Sequence, residues 1–292
     1  MAVLDRVVII GASGQLGSDL IKAFRDLDPV GLTHGQVDVT APGSLLYALR
    51  RWRPTAVINT AAYHNVDQCE AFPDRAFAVN ALAVDSLAAL CATEGVVLCH
   101  VSTDYVFSGD SSEPYGEDDA ARPINAYGCS KLSGENLMMR HAREQYIFRT
   151  SGLFGVSQTM QKGLNFVERM IRAGEESKPL RVVDDVHFSP SYTLDVARAI
   201  RRILNGSPYG TYHVTNTGVC SWYDLAEEAL RAAGLETPVE RIKSPQDQFP
   251  KRPAMSALRH DAICAAGIED LPSWKDGVRA YVEERNAANV LA

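Results

Sequence analysis

Arg6-Val7-Val8-Ile9-Ile10-Gly11-Ala12-Ser13-Gly14-Gln15-Leu16-Gly17 is the stretch on which the fold turns. A short β-branched apolar run ending in glycine has the pattern of a buried parallel strand. A helix follows, from about Leu16 to Asp26. Gly11 permits the tight turn, Gly14 lets the backbone approach a pyrophosphate, and Gly17 lets the helix pack on the strand. An anion placed there meets the positive end of the helix dipole. Gly11, Ser13, Gly14, Gln15 and Leu16 are therefore read as a dinucleotide's phosphate cradle. The spacing is G-x-x-G-x-x-G, not the G-x-G-x-x-G of many dehydrogenases.

Outward from this turn, Val30 to Thr33 reads as a second strand, and a brief third strand is expected to end at Asp38-Val39. Thr33 and His34 stand where an acidic residue would grip the adenosine ribose. Their neutrality tolerates a 2′-phosphate, which favours NADPH and leaves NADH as the alternative. Asp38 either meets the adenine amino group, with Val39 packed on the ring, or caps the turn before Pro42.

Further strands are expected at 56–59, 96–102 and 146–149, with a long helical stretch from about Pro73 to Thr93 between the first two. Strands alternating with helices mean βαβ units. The fold class is α/β, a Rossmann-like doubly wound parallel sheet with a smaller mixed substrate-binding lobe. Residues 1–151 with about 186–216 are assigned to the dinucleotide-binding domain. The lobe takes about 152–185 and 217–292, where Pro, Gly and polar punctuation increase. Ser221-Trp222-Tyr223-Asp224 reads as a capped helix start.

The 292 residues bury a sizeable core without staples, and the net charge of −7 argues against nucleic acid or an anionic membrane as partner. The six cysteines (69, 91, 99, 129, 220, 264) have no metal-like spacing, and no metal site is expected. With no signal peptide and no span seen as long enough to cross a bilayer, the expected location is cytoplasmic.

The chemistry is carried by Ser102-Thr103-Asp104-Tyr105-Val106-Phe107 and Tyr127-Gly128-Cys129-Ser130-Lys131. A tyrosine and a lysine four residues apart share one helix face. There the ammonium is expected to favour the phenolate. A free phenol titrates about three units above neutral, a gap of roughly 4 kcal/mol. Such a phenol moves protons on and off an alcohol or sugar oxygen.

These motifs resemble the extended short-chain dehydrogenase/reductases, and most closely the dTDP-4-dehydrorhamnose reductase family. The resemblance spans nearly the whole chain. It rests on the glycine turn, the Asp38-Val39-Thr40 run, and Asn59-Thr60-Ala61-Ala62-Tyr63 with Val66, Asp67 and Glu70. It continues through Val79-Asn80-Ala81, the Ser-Thr-Asp-Tyr-Val-Phe string, Tyr-Gly-x-x-Lys, Arg149-Thr150-Ser151, Asn165-Phe166 and Arg252-Pro253.

The resemblance implies Tyr127 as general acid and Lys131 as the group that binds the nicotinamide ribose and tunes the tyrosine. It implies Thr103 as a hydrogen-bond partner of the substrate carbonyl. Ala61, Ala62, Tyr63 and Asn80 would line the cofactor, and Ser102 would sit beside the nicotinamide. Tyr105, Lys162, Asn165 and Arg252 would face the sugar nucleotide. The implied reaction is reduction of the C4 ketone of a nucleotide-linked 4-keto-6-deoxy sugar. Alternatives are an epimerase, another ketoreductase, or a non-catalytic dinucleotide-binding subunit like the regulatory subunit of methionine adenosyltransferase. The family contains monomers and Mg2+-bridged homodimers, and neither Asp19 nor the carboxylates near the C-terminus decides between them. Gly152 stands where the family commonly has tryptophan, and Val186 and Phe188 replace Gln and Gly.

Overall fold

In the computed structural model, which describes residues 4–157 and 163–290, the opening run forms β1 (Val7–Ile10), and the glycine turn leads into α1 (Gln15–Ala23). The sheet continues with β2 (Val30–Leu32), α2 (Pro42–Trp52) and β3 (Ala56–Asn59). Two short helices, α3 (Val66–Ala71) and α4 (Pro73–Phe77), then pass through a π-turn at Ala78–Leu82 into α5 (Ala83–Glu94). After them come β4 (Val97–Thr103), α6 (Ala126–Met138) and β5 (Gln145–Thr150). Past a crossover pair, β6 (Leu153–Phe154), the chain makes α7 (Phe166–Glu175), β7 (Leu180–Val183), β8 (His187–Phe188) and β9 (Ser191–Tyr192). It returns to the sheet through α8 (Thr193–Leu204) and β10 (Gly210–His213). It ends in β11 (Cys220–Ser221), α9 (Trp222–Ala232), β12 (Val239–Ile242), α10 (Asp261–Ala265) and α11 (Trp274–Val290).

The main sheet runs β10-β5-β4-β3-β1-β2, and every pairing in it is parallel. The chain winds from β1 outward to β2, then crosses back to β3 on the other side of β1. That reversal opens a crevice at the carboxyl ends of β1 and β3, where ligands bind in such sheets. Alternation along the buried strands divides the core. Val7, Ile9, Ala56, Ile58 and Cys99 pack with α1 and α8. Val8, Ile10, Val57 and Leu98 pack with α2 and α5.

The third strand expected near Asp38-Val39 does not form. Gln36 and Val37 donate their N–H groups back to the Thr33 carbonyl at 2.9 and 3.0 Å. The Gln36 side chain accepts from Thr33 N at 2.9 Å, and Asp38 Oδ1 accepts from Thr40 N and Oγ1 at 2.9 and 2.7 Å. Side-chain turns of this kind compete with ladder formation and here displace it.

The 73–94 helical stretch is confirmed, and it corrects the expectation that no segment is long enough to span a bilayer: by length and composition it is. Its inward face (Val84, Leu87, Ala88, Cys91) is nevertheless part of the sheet's core.

The smaller lobe gathers α7, α9 and α11 around Phe154, Tyr192, Trp274 and Tyr281. The capped start at Ser221 is a reciprocal capping box with Asp224. Ile263 and Leu271, however, pack in the core against α1 and α8.

One buried ion pair fastens α6 to the sheet: Arg149 on β5 meets Glu135 at 2.7 Å, with both side chains under 10% exposed. Arg149→Met should therefore cost about 3–5 kcal/mol by leaving a buried carboxylate unpartnered. Urea denaturation compared with the wild-type protein measures it, and a loss below about 1 kcal/mol would contradict the assignment.

Candidate active site

The glycine turn is built by close approach. A Cβ on Gly11 (φ +83°) would lie 2.5 Å from Thr60 Oγ1, and one on Gly17 would lie 2.2 Å from the Gly11 carbonyl. These two glycines keep the turn closed on itself. Gly14 differs: its φ is ordinary, and a Cβ there would meet only the Gly11 carbonyl, at 3.3 Å. Gly14 is also the N-cap of α1 and has no side chain to cap the helix, so the first-turn N–H groups from Gln15 onward point out of the turn.

At the far end of the crevice, β4 delivers Thr103 and α6 delivers Tyr127. Asn125 caps α6 by accepting from Gly128 N at 2.9 Å, and Glu70 Oε2 accepts from Ala126 N at 2.9 Å. A Cβ on Gly128 would be 2.1 Å from the Tyr105 carbonyl, so only glycine lets α6 begin this close to the end of β4. Tyr127 therefore comes beside Thr103, whose hydroxyl pulls its phenol down, and packs edge-on against the Tyr105 ring at 5.8 Å. The Thr103 hydroxyl donates to Asp104 Oδ1 at 3.0 Å and accepts from Tyr105 N at 3.2 Å.

Asp104 is a buried hub that reading the sequence alone misses. Its Oδ2 accepts from Ser151 at 2.8 Å and Ser256 at 2.6 Å, and burial pushes its carboxyl up to about 6 despite these bonds. It ties β4, the end of β5 and the C-terminal segment to the rotamer of Thr103. The signal was present: an acidic residue directly follows a buried strand.

Lys131 follows one turn after Tyr127 and is almost wholly buried. Its Nζ lies 3.0 Å from His100 Nε2 and donates to the Val101 carbonyl at 2.7 Å. Burial lowers it to about 8. The expected lowering of the Tyr127 phenol does not follow. Burial pushes that phenol up, against the weaker opposite pull of Thr103. The lysine's donors are directed at β4, and desolvation of the phenol outweighs a cation one turn away.

Other named residues are spent within the protein. Asn80 sits in the π-turn, where it accepts from Tyr63 N and donates to Tyr63 O, both at 2.8 Å, and donates to Ser130 Oγ at 2.9 Å. It acts by holding the Ala61-Ala62-Tyr63 loop in place. Asn165 caps α7 through Glu168 N, and its amide donates to the Gly155 carbonyl and Gln15 Oε1. Of Asp38's two sequence roles, the turn-capping one is realised through Thr40. Arg252 pairs with Asp67 at 3.1 Å and lies close enough to Tyr105 to pull its phenol down, against the larger rise from burial. Lys162 lies outside the described residues. Asp19, considered for a metal bridge, is buried against Lys22 and Thr193.

Among the described residues, no group of three or more His, Cys, Asp or Glu gathers as a metal site. Gly152 (φ +50°) stands under the Phe188 ring, where a Cβ would lie 2.3 Å from Cε2, and Phe188 packs on Trp222 with ring centroids 4.1 Å apart.

Two features suit a dinucleotide: the open helix N-terminus behind Gly14, and Ser102 Oγ, buried with no partner at the carboxyl end of β4. Fold and site together define a Rossmann-type oxidoreductase with a Tyr-x-x-x-Lys centre. The chain belongs to the dTDP-4-dehydrorhamnose reductase family, and its residues 5–287 match the family described as RmlD substrate binding domain.

Among its relatives, the spore coat polysaccharide biosynthesis protein SpsK of Bacillus subtilis is 36% identical over 98% of this chain and 99% of its own length. The dTDP-4-keto-6-deoxy-D-glucose reductase of Streptomyces niveus is 34% identical over 92% and 94%. The crystal structure of dTDP-4-dehydrorhamnose reductase from Bacillus anthracis in complex with NADP superposes with a TM-score of 0.90 at 35% identity, covering 97% of this chain and 100% of that one.

The glycine geometry separates fold from binding. Gly14→Val should fold with near-normal stability yet lose NADPH affinity by on the order of 100-fold, because its side chain fills the pyrophosphate's place. Gly17→Val should fail to fold. Fluorescence titration with NADPH beside thermal melts distinguishes them, and retained affinity in Gly14→Val would move the phosphate site elsewhere.

Proposed function

We propose that this chain reduces the C4 ketone of a dTDP-linked 4-keto-6-deoxy sugar with NADPH, converting dTDP-4-dehydro-L-rhamnose to dTDP-L-rhamnose. The observation that carries the reading is the convergence of Thr103, Tyr127 and Lys131 at the carboxyl end of β4, in a chain that belongs to this reductase family. NADPH would lie along Gly11–Leu16, the Ala61–Tyr63 loop and Ser102, and when bound it supplies the hydride.

The residues then have distinct tasks. A phenol held protonated by burial is a proton donor at neutral pH, so Tyr127 gives its proton to the oxygen that becomes the alcohol. Donation as charge develops spares the transition state a naked alkoxide in a poorly solvated site. Thr103, whose hydroxyl proton rests on Asp104 in the ligand-free chain, would turn that proton to the same oxygen as a second donor. Lys131 would hold the nicotinamide ribose through its hydroxyls when the cofactor is bound. Tyr105 and Arg252, the latter paired with Asp67, would form a polar wall for the sugar nucleotide. The nucleotide-sugar substrate, the cytoplasmic location and a monomeric or homodimeric state all belong to this reading.

Consumption of NADPH with dTDP-4-dehydro-L-rhamnose tests the reading, with dTDP-4-keto-6-deoxy-D-glucose run in parallel because a relative bears that substrate's name. Tyr127→Phe should lower turnover by about 10²-fold or more and leave NADPH affinity nearly intact. Lys131→Met should weaken both. Equal turnover in Tyr127→Phe would remove the phenol from the chemistry, and NADPH binding without turnover on either sugar would indicate a non-catalytic dinucleotide-binding subunit.

A further inference from the structure

The parallel register places Asn59 of β3 beside His100 of β4. Both lie on the sheet face that receives α6. Their side chains, with Lys131, form a buried chain of polar contacts that the proposed reaction does not use.

The direction of that chain is fixed at one end. Asn59 Oδ1 accepts from the Ala61 backbone N–H at 3.1 Å, so its amide nitrogen must face His100 Nδ1, 3.3 Å away. Turning the amide over would oppose two N–H groups at Ala61. A ring that accepts at Nδ1 and is neutral carries its proton on Nε2. His100 is wholly buried and held well below the ordinary histidine range by desolvation, so the ring is neutral. Its Nε2–H points at Lys131 Nζ, 3.0 Å away. Two donors cannot share that contact, and only an uncharged amine accepts there.

We propose that His100, oriented through Asn59 by the Ala61 backbone, is a positioning residue that disfavours the ammonium form of Lys131 in the ligand-free protein. The inference concerns the lysine of the proposed reductase centre and deepens that reading. Among groups facing the pair, Tyr127 and Glu135 come from α6, and Glu135 is closed by Arg149 of β5. Asp104 lies beyond Thr103, while α5 turns Val84, Leu87, Ala88 and Cys91 to this face of the sheet and its Asp85 is paired with His141. Glu135 favours the ammonium, yet burial leaves Lys131 at about 8. The lysine therefore changes charge in a pH range where its ordinary counterparts stay cationic.

The test is nuclear magnetic resonance on the full, ligand-free chain labelled with 15N-histidine and 13C-lysine. His100→Gln and Lys131→Met assign the signals. His100 should appear as the neutral Nε2–H tautomer, with Lys131 titrating well below the other lysines. Asn59→Ala should let the ring move its proton to Nδ1 and accept from the ammonium, raising Lys131's proton affinity about tenfold. An Nδ1–H tautomer in the wild-type protein overturns the proposal, as does a Lys131 titration unmoved by Asn59→Ala. Should that variant not fold, the wild-type tautomer decides alone. None of these signals depends on turnover, so a chain that reduces no sugar ketone still reveals which ring nitrogen of His100 carries the proton.

Discussion

The structure depends on how α6 is buried. The side chains it sinks under the sheet include Lys131 and Glu135, one turn apart, and a helix that buries two ionisable groups must find each a partner or lose several kcal/mol. Arg149 on β5 answers Glu135, while His100 and the Val101 carbonyl on β4 answer Lys131. Because the partners are fixed points on two adjacent strands, the helix has one axial position and one rotation. Tyr127 is carried along: its place beside Thr103 is a consequence of where these two side chains land.

The same constraint explains what the sequence disclosed and what it hid. The strands from Val7–Ile10 to Gln145–Thr150 are apolar runs punctuated by glycine or polar residues, so five of the sheet's six strands were readable to within about a residue, while β10 (Gly210–His213) was not named. Tyr127, Lys131 and Thr103 were readable because a phenol and an amine at helical spacing, behind a strand that ends in a hydroxyl, form a reactive set on their own. The roles of His100, Asn59 and Asp104 were not. Each depends on a neighbour remote in sequence, such as Asn59 on His100, which only register brings together. The false third strand near Asp38 fails differently: side-chain turns from Gln36 and Asp38 outcompete a short extended segment, and no apolar pattern records that competition.

Burial also separates two roles that one motif suggests together. The Tyr-x-x-x-Lys spacing by itself implies a cation lowering a phenol. In the folded chain desolvation dominates, the phenol rises, and the lysine is the group brought toward neutrality. Proximity along a helix sets which groups can interact, while solvent exclusion sets the sign of the result.

Gly152 and Phe188 are remote in the chain yet form one steric unit, since a β-carbon at the first would lie 2.3 Å from Cε2 of the second. A side chain at 152 and this ring at 188 therefore exclude each other unless the backbone moves. Neither position is free to vary alone: the size of one residue sets the room left to the other, so the pair tolerates exchange of bulk between its members better than the addition of bulk to either.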